Sequence, residues 1–86
     1  MGKLRILSVN GATLSSGKIA TLPTEDRPTS NIITMSLMVL SNVFYPSFLD
    51  ILSNGDILNA NYIPRTNEID RNVTGGLVYA NIVWTV

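Results

Sequence analysis

The sequence predicts an all-β protein, a small antiparallel β-sandwich or barrel-like domain that takes up the whole chain, residues 1–86. Two observations support this fold class. Several short runs alternate apolar and polar residues with a period of two, which is typical of strands with one buried face. Glycine, proline and asparagine interrupt these runs at short intervals, as turns do in sandwiches and barrels. Met1 and Gly2 are also typical of residues that an expression vector adds to the start of a chain.

The charge balance narrows the classes of function. Six basic and six acidic residues give a formal net charge of zero, so no positive surface for nucleic acid is expected. Charged residues make up 14% of the chain, compared with about 25% in ordinary soluble domains. We therefore expect part of the surface to be covered by further copies of the chain or by a larger assembly.

The absence of cysteine and histidine limits the chemistry. The chain has no thiolate nucleophile, none of the usual zinc ligands and no imidazole base, so we predict no catalytic residue, no metal and no cofactor. The apolar stretch from Ile32 to Leu52 contains Pro46 and Asp50, and we do not expect it to insert into a membrane. The first residues do not have the pattern of a secretory signal.

The first third of the chain predicts short strands and one irregular loop. Lys3–Val9 alternates and fits a strand with one buried face, and Lys18–Leu22 fits a second strand. Another short run, Ala12–Ser16, lies between two glycines. Pro23–Ser30 contains two prolines, which remove backbone donors, so this segment is predicted to be a surface loop that Arg27 braces.

Asn31–Leu40 is predicted to be a strand. Its leucines and methionines favour a helix, which is the alternative, but no capping box precedes the run and the two-residue alternation is clearer than any helical stripe. Ser41 and Asn42 then fit a turn into the next strand, and Pro46 marks an edge position or a bulge.

The centre of the chain predicts a β-hairpin. Asn54 and Gly55 tolerate the positive φ angles of a type I′ turn, and apolar-rich runs flank them on both sides. Counting outward from this turn places Leu52 opposite Ile57, and every further pair follows from that one. A four-residue loop around the same two residues predicts the same register.

This register assigns the hairpin residues to two faces, because side chains alternate along a strand. The face predicted to lie in the core holds Leu49, Ile51, Leu58, Ala60 and Tyr62. The face predicted to lie outside holds Phe48, Asp50, Leu52, Ile57, Asn59 and Asn61. The outer face thus combines an apolar pair near the turn with amides, a carboxylate and an aromatic ring.

The end of the chain predicts a polar loop and a last strand. Pro64 is predicted to end the second hairpin strand, Arg65–Asn72 to form the loop, and Leu77–Val86 to form the strand. Alternate residues of that strand make an unbroken apolar face that is predicted to be core: Val78, Ala80, Ile82, Trp84 and Val86.

Residues 18 to 86 carry a resemblance to a known family. Leu22-Pro23 is followed by Arg27-Pro28, then by an alternating strand, the Asn54-Gly55 hairpin and the glycine-rich entry Gly75-Gly76 to a final strand. In this order and spacing they resemble the distal domain of bacteriophage tail-fibre and baseplate receptor-binding proteins. Many members have an aromatic residue before the Arg-Pro pair, where this chain has Asp26.

The resemblance implies a role as well as a fold. It implies a β-sandwich head, a homotrimer around a threefold axis, and attachment to the host cell surface, commonly through polysaccharide. Other tail proteins are the implied partners, and the virion is the implied location of a chain made in the host cytoplasm. A purely structural module that trimerises within the virion without binding a receptor is the alternative.

The outer face of the hairpin supplies the candidate ligand residues. An aromatic ring can support a pyranose, and a carboxylate and amides can bind its hydroxyls. The predicted ligand-binding residues are Phe48, Asp50, Asn59 and Asn61. A solvated sheet face or a subunit contact is the alternative. The charged loop offers a second candidate set, or is only solvated: Arg65, Glu68, Asp70 and Arg71.

Two further expectations complete the analysis. Leu52 and Ile57, as cross-strand neighbours on the outer face, are the predicted contact of the homotrimer. No enzymatic activity is expected. The carboxylate pairs Glu25 with Asp26 and Glu68 with Asp70 suit a glycosidase in composition only, because a domain of this size offers little cleft.

Overall fold

The computed structural model describes residues 2–63 and 66–86, without the side chains of residues 61–63. The strands within these residues are β1 (Leu4–Thr13), β2 (Lys18–Thr21), β3 (Ile32–Leu40), β4 (Val43–Ile51), β5 (Asp56–Ile63), β6 (Glu68–Asp70) and β7 (Leu77–Thr85). One short 3₁₀ turn, Thr24–Asp26, follows β2. The all-β prediction is confirmed, and this part of the chain contains no α-helix.

All seven strands belong to one antiparallel sheet. Its order is β1-β7-β3-β4-β5-β2, and β6 pairs with the far end of β5. The strands β1 and β2 are consecutive in the chain but lie at opposite ends of this order, with only residues 14–17 between them. So short a connection requires the sheet to curl, and the result is a half-barrel. The predicted sandwich or barrel is therefore a single curled sheet.

The loop between β2 and β3 lies against the inward side of β1 and β7. The indole Nε1 of Trp84 donates to the backbone oxygen of Asp26 at 2.9 Å, and the carboxylate of Asp26 pairs with Arg5. Arg27 Nε donates to the backbone oxygen of Leu22 at 3.0 Å, which confirms the prediction that this arginine braces its own loop.

The core fills the inside of the curl. It consists of Val9, Leu14, Met38, Leu49, Ile51, Ile57, Val73, Val78, Ile82 and Trp84. The predicted core face of the last strand is confirmed, since Val78, Ile82 and Trp84 are buried there. In β3 the inward face includes Met38, whereas the outward residues Ile33 and Met35 are exposed.

The hairpin between β4 and β5 exists, but its predicted register is wrong by one residue. Ile51 lies opposite Ile57, and the loop has three residues. The amide of Gly55 donates to the oxygen of Leu52 at 2.8 Å, and the amide of Leu52 donates to the oxygen of Asp56 at 2.9 Å. Gly55 has the expected positive φ, 97°. A turn closed by such a residue is the common three-residue hairpin loop.

A shift of one residue exchanges the two faces of β5 relative to β4. Leu58 and Ala60, predicted to be core, lie on the outward side, where Ala60 faces Phe48 and is nevertheless buried, with 3% exposed. Ile57 and Asn59, predicted to be outside, lie inside and are buried. Tyr62 belongs to β5, but its side chain falls outside the described residues.

Two other turns contain residues with positive φ angles. Ser41 and Asn42 have φ of 51° and 63°, so the turn predicted there is confirmed, and it has the backbone pattern of a type I′ hairpin. Ser16 and Gly17, with φ of 50° and 78°, connect Ser15 to Lys18 in the same way.

The segment predicted to be only a polar loop contains a strand. β6 pairs with Asn61–Ile63 of β5, which widens the outward face of the hairpin by one short strand. Pro64 and Arg65, predicted to be the strand end and the loop start, lie outside the described residues.

We expect Gly55→Val to lower the free energy of unfolding by about 1–3 kcal/mol, because a β-branched residue is strained at this φ. A Cβ here would also lie 2.5 Å from Arg27 Nε and 2.8 Å from the oxygen of Leu22. Urea denaturation measures the change. Gly55→Asn adds a Cβ but tolerates positive φ, so a loss equal to that of Gly55→Val would contradict the backbone explanation.

Candidate functional site

An open depression of about 230 Å³ lies on the outward face of the sheet. Side chains from four strands and from the residue that follows β6 line it: Ile33, Phe48, Asp50, Ala60, Ile69 and Arg71. Most of this lining is apolar, and Asp50 and Arg71 are its charged members.

The strand register brings these residues together. Phe48 and Asp50 are two apart on β4 and share one side of the sheet. Ile33 of β3 lies directly opposite Asp50, and Ala60 of β5 lies directly opposite Phe48. The pairing of β6 with β5 adds Ile69 at the far border.

The charged pair of the depression is loosely associated. Arg71 Nη1 and Asp50 Oδ2 are 3.7 Å apart, which is longer than a hydrogen bond. The side chain of Asp50 is 15% exposed and that of Arg71 is 62% exposed. Because the two groups do not consume each other's hydrogen-bonding capacity, the carboxylate can accept from a ligand hydroxyl and the guanidinium can donate to another.

Phe48 and Asp50, two of the predicted ligand residues, lie in this depression. Asn59 does not, so the prediction that it shares their face is wrong. Its side chain is 1% exposed and points inward, where its Oδ1 accepts a hydrogen bond from Ser36 Oγ at 2.7 Å. Asn61 lies opposite Ser47 on β4, but its side chain falls outside the described residues, so its role as a ligand stays a prediction.

Asn59 belongs to a small polar cluster inside the sheet. The hydroxyls of Ser36 and Ser47 are 2.6 Å apart, and Ser47 is buried. Asn59 Nδ2 is buried and lacks a hydrogen-bond partner within the described part of the chain. The cluster accounts for a polar side chain at a position that looks exposed in the sequence pattern.

The predicted trimer contact is also divided between two places. Leu52 lies in the hairpin turn and is half-buried, whereas Ile57 is 3% exposed and belongs to the core. They are not cross-strand neighbours, because Ile57 lies opposite Ile51. The prediction that the pair forms one outer contact is therefore wrong, and the cause is the same shift of register.

The carboxylates of Asp56 and Asp70 form structural hydrogen bonds, and that of Asp56 also forms an ion pair. Asp56 Oδ1 accepts from Thr21 Oγ1 at 2.9 Å and lies 3.2 Å from Lys18 Nζ. The Thr21 hydrogen bond, with help from Lys18, lowers the pKa of Asp56 below its ordinary value. Asp70 Oδ1 accepts from the amide of Asn72 at 2.9 Å.

The sequence predicts Arg71 as a member of the second candidate ligand set or of a solvated loop, and it does not predict Ile33 or Ile69 as site residues. The positions of Ile69 and Arg71 depend on β6, and a strand of three residues leaves little periodicity to read. Ile33 reaches the depression through the pairing of β3 with β4. The concentration of charges in that loop was the available signal for Arg71.

Comparisons with protein-family models, with curated proteins and with solved structures give no match to this chain. Among the described residues, no group of three or more acidic side chains is placed to hold a metal ion. Within the same part of the chain, no helix has the length and apolar character that crossing a membrane requires.

Proposed function

We propose that this chain is a non-enzymatic attachment module of the bacteriophage tail-fibre or baseplate type, which binds host cell-surface polysaccharide as a homotrimer. The observation that carries the proposal is the outward depression, where the ring of Phe48 lies beside the carboxylate of Asp50 and the guanidinium of Arg71. In this proposal the chain is made in the host cytoplasm, lies in the virion and is attached to other tail proteins.

The chemistry of the depression suits a saccharide. A pyranose has an apolar face of C–H groups, which the ring of Phe48 can cover. Its hydroxyls are both donors and acceptors, and Asp50 with Arg71 supplies one partner of each kind. A nucleic acid or an anionic surface would instead need a cluster of positive charge, which a chain of zero net charge does not favour.

A shallow open site should bind weakly. Each hydrogen bond to the sugar replaces one to water, so the net gain is small. Three copies that engage one polysaccharide together can raise the overall affinity by about 10²–10⁴ without any new contact. Avidity therefore gives a physical reason for a trimeric assembly.

The proposal excludes turnover on a chemical ground. Glycosidases use two carboxyl groups about 5–10 Å apart across the scissile bond. The depression is lined by one carboxylate, that of Asp50. Asp26, a member of one predicted pair, is already engaged by Arg5.

A second candidate function is a structural module that assembles within the virion and binds no receptor. The exposed apolar residues of the outward face favour it, among them Ile6, Met35 and Phe44. Surfaces of this kind mark contacts between proteins.

We expect the double variant Asp50→Ala, Arg71→Ala to bind host-derived polysaccharide about 10–100-fold more weakly, because both charged partners of the hydroxyls are lost. Its thermal transition should stay nearly unchanged, since the loose pair contributes little to stability. Glycan-array binding and calorimetry of the purified protein measure these effects.

The matched control is Lys18→Ala with Asp56→Ala, which removes another ion pair of the sheet with the same change of net charge. It should bind polysaccharide like the wild type. Equal binding by both double variants would exclude the depression as the site. A trimer that binds no host polysaccharide at all would support the structural module, and release of reducing ends would contradict a non-enzymatic role.

A further inference from the structure

The pairing between β3 and β7 covers only three residues of each nine-residue strand. It joins Leu37–Val39 to Leu77–Tyr79, and beyond that point each strand continues without the other. Ile32–Ser36 of β3 still pairs with β4, and the end of β7 still pairs with β1. Two stretches of strand thus have an open edge on the same side of the fold, within the described residues.

The backbone of β3 presents hydrogen-bonding groups to this open edge. In an antiparallel pair, successive residues turn their N–H and C=O groups alternately toward and away from the neighbour. Pro46, which has no N–H, lies opposite Leu37, so Leu37 turns its backbone groups away from β4 and toward β7. By the same alternation, Ile33 and Met35 turn theirs toward the open edge, where β7 no longer lies.

The open edge of β3 has none of the features that protect the other edges of the sheet. β1 has an irregularity between Asn10 and Ala12 and carries the inward charge of Arg5, whereas β2 and β6 have four and three residues. Ile32–Ser36 has no charge, no proline and no irregularity of register. Unprotected edges of this kind are templates for another strand.

The side chains along this edge are apolar and exposed. Ile33 is 68% exposed and Met35 is 71% exposed, although both belong to a nine-residue strand of the sheet. A strand laid along the edge would cover these side chains and satisfy the free backbone groups of the same two residues. Both effects favour occupation of the edge.

We propose that the open edge of β3, Ile32–Ser36, pairs with the β7 segment 80–85 of a second copy of this chain. That segment is the other open stretch and it carries no charge either, so no charge is buried without a partner. Val83, on its outward side, is 55% exposed and is the counterpart of Ile33 and Met35.

The pairing joins two different edges, and this determines the kind of assembly. A contact between unlike surfaces repeats from copy to copy and ends only when the copies close into a ring. In such a ring each chain uses both of its open stretches. Pairing of β3 with β3 would leave the β7 stretches open. The inference rests on the proposed homotrimer and names the surface that forms it.

The first test substitutes the edge itself. We expect wild type to sediment as a trimer at micromolar concentration, and Met35→Pro to raise the dissociation constant at least about tenfold, because proline removes an edge N–H. Met35→Lys should also raise the dissociation constant, because it places a charge in the contact between copies. This second variant keeps the test valid if proline unfolds the strand. Circular dichroism reports folding of each variant.

Phe44→Lys is the matched control, since Phe44 is also apolar and 71% exposed but lies near the tip of the hairpin. It should remain a trimer. Wild-type protein that is monomeric would overturn both the trimer and the edge pairing. A trimer that persists in Met35→Pro and Met35→Lys would overturn the edge pairing alone. In either case, polysaccharide binding at Asp50 is measured in a separate experiment.

A second test identifies the paired strands. The chain has no cysteine, so Ile33→Cys and Val83→Cys each introduce a single thiol. A mixture of the two variants should form disulfide-linked dimers faster than either variant alone, because the thiols lie on neighbouring strands of different copies. Faster linkage within Ile33→Cys alone would indicate pairing of β3 with β3 and would contradict the proposal.

Discussion

Gly17→Ala is expected to lower the free energy of unfolding by about 3 kcal/mol or more, a large part of the stability of a small domain. Gly17 has a φ of +78°, which strains any residue with a Cβ. An added Cβ would also overlap the backbone oxygen of Arg71. The backbone amide of Gly17 donates to the backbone oxygen of Val73 at 2.8 Å, and the backbone oxygen of Gly17 accepts from the backbone amide of Asn59 at 2.7 Å. These two hydrogen bonds hold the backbone of Gly17 in place, so it cannot move away from Arg71.

Gly75→Ala is the control that separates the two causes. Gly75 has a similar φ, +87°, but nothing lies within 4 Å of an added Cβ. Backbone strain alone should cost about 1–2 kcal/mol there. Urea denaturation of both variants measures the difference, which we assign to the overlap with Arg71. Equal losses would show that the close approach at Gly17 is relieved without cost.

The same substitution links the fold to the candidate site. The residue whose backbone meets Gly17 is Arg71, and its side chain lines the depression. Displacement of that backbone should weaken polysaccharide binding in any folded fraction of Gly17→Ala. Gly75→Ala should leave binding unchanged, because Gly75 does not line the depression.

The longer strands were predictable from the sequence, because burial on one side imposes a period of two, whereas the three-residue strand β6 was not. The last strand is the clearest case, since Val78, Ala80, Ile82 and Trp84 alternate without interruption, and all but the half-buried Ala80 are buried. The long strand β3 also followed from its alternation. Its inward side was not assigned, and the pattern does not assign it, because both faces of β3 contain large apolar residues such as Met35 and Met38.

The register of the central hairpin could not be read from the sequence for a specific reason. An Asn-Gly pair fits a two-residue turn and also the end of a three-residue loop. The neighbours Ile57 and Leu58 are both apolar, so either one is suitable for the core. The structure places Asn59 inside the sheet, where Ser36, 23 residues earlier in the chain, donates a hydrogen bond to its side chain. A local pattern does not contain that contact.

The sequence predicts as one set only those residues of the candidate site that share one strand. Phe48 and Asp50 are two residues apart on one strand, so their common face follows from local geometry alone. Ile69 and Arg71 reach the depression through the pairing of β6 with β5, and Ile33 reaches it through the pairing of β3 with β4. Contacts across strands depend on register and on topology, which the alternation of one strand does not determine.

Ile57→Asp and Leu52→Asp should differ sharply, although the sequence pattern treats the two residues as equivalent neighbours. Ile57 is 3% exposed within the core, so a carboxylate there is expected to cost several kcal/mol and to unfold most of the protein at neutral pH. Leu52 is half-buried in a turn, and its substitution should cost about 1 kcal/mol or less. Urea denaturation of the two single variants measures the difference.

The pH dependence of the same pair checks the cause. Burial raises the pKa of an introduced carboxyl above its unfolded value of about 3.9, so the charge penalty at position 57 grows as the pH rises through that range and disappears below it. The stability deficit of Ile57→Asp, measured relative to Leu52→Asp at each pH, should therefore shrink toward acid pH. The loss of the buried isoleucine side chain should remain at every pH. Equal destabilisation by the two substitutions at neutral pH would contradict the register in which Ile57 faces Ile51.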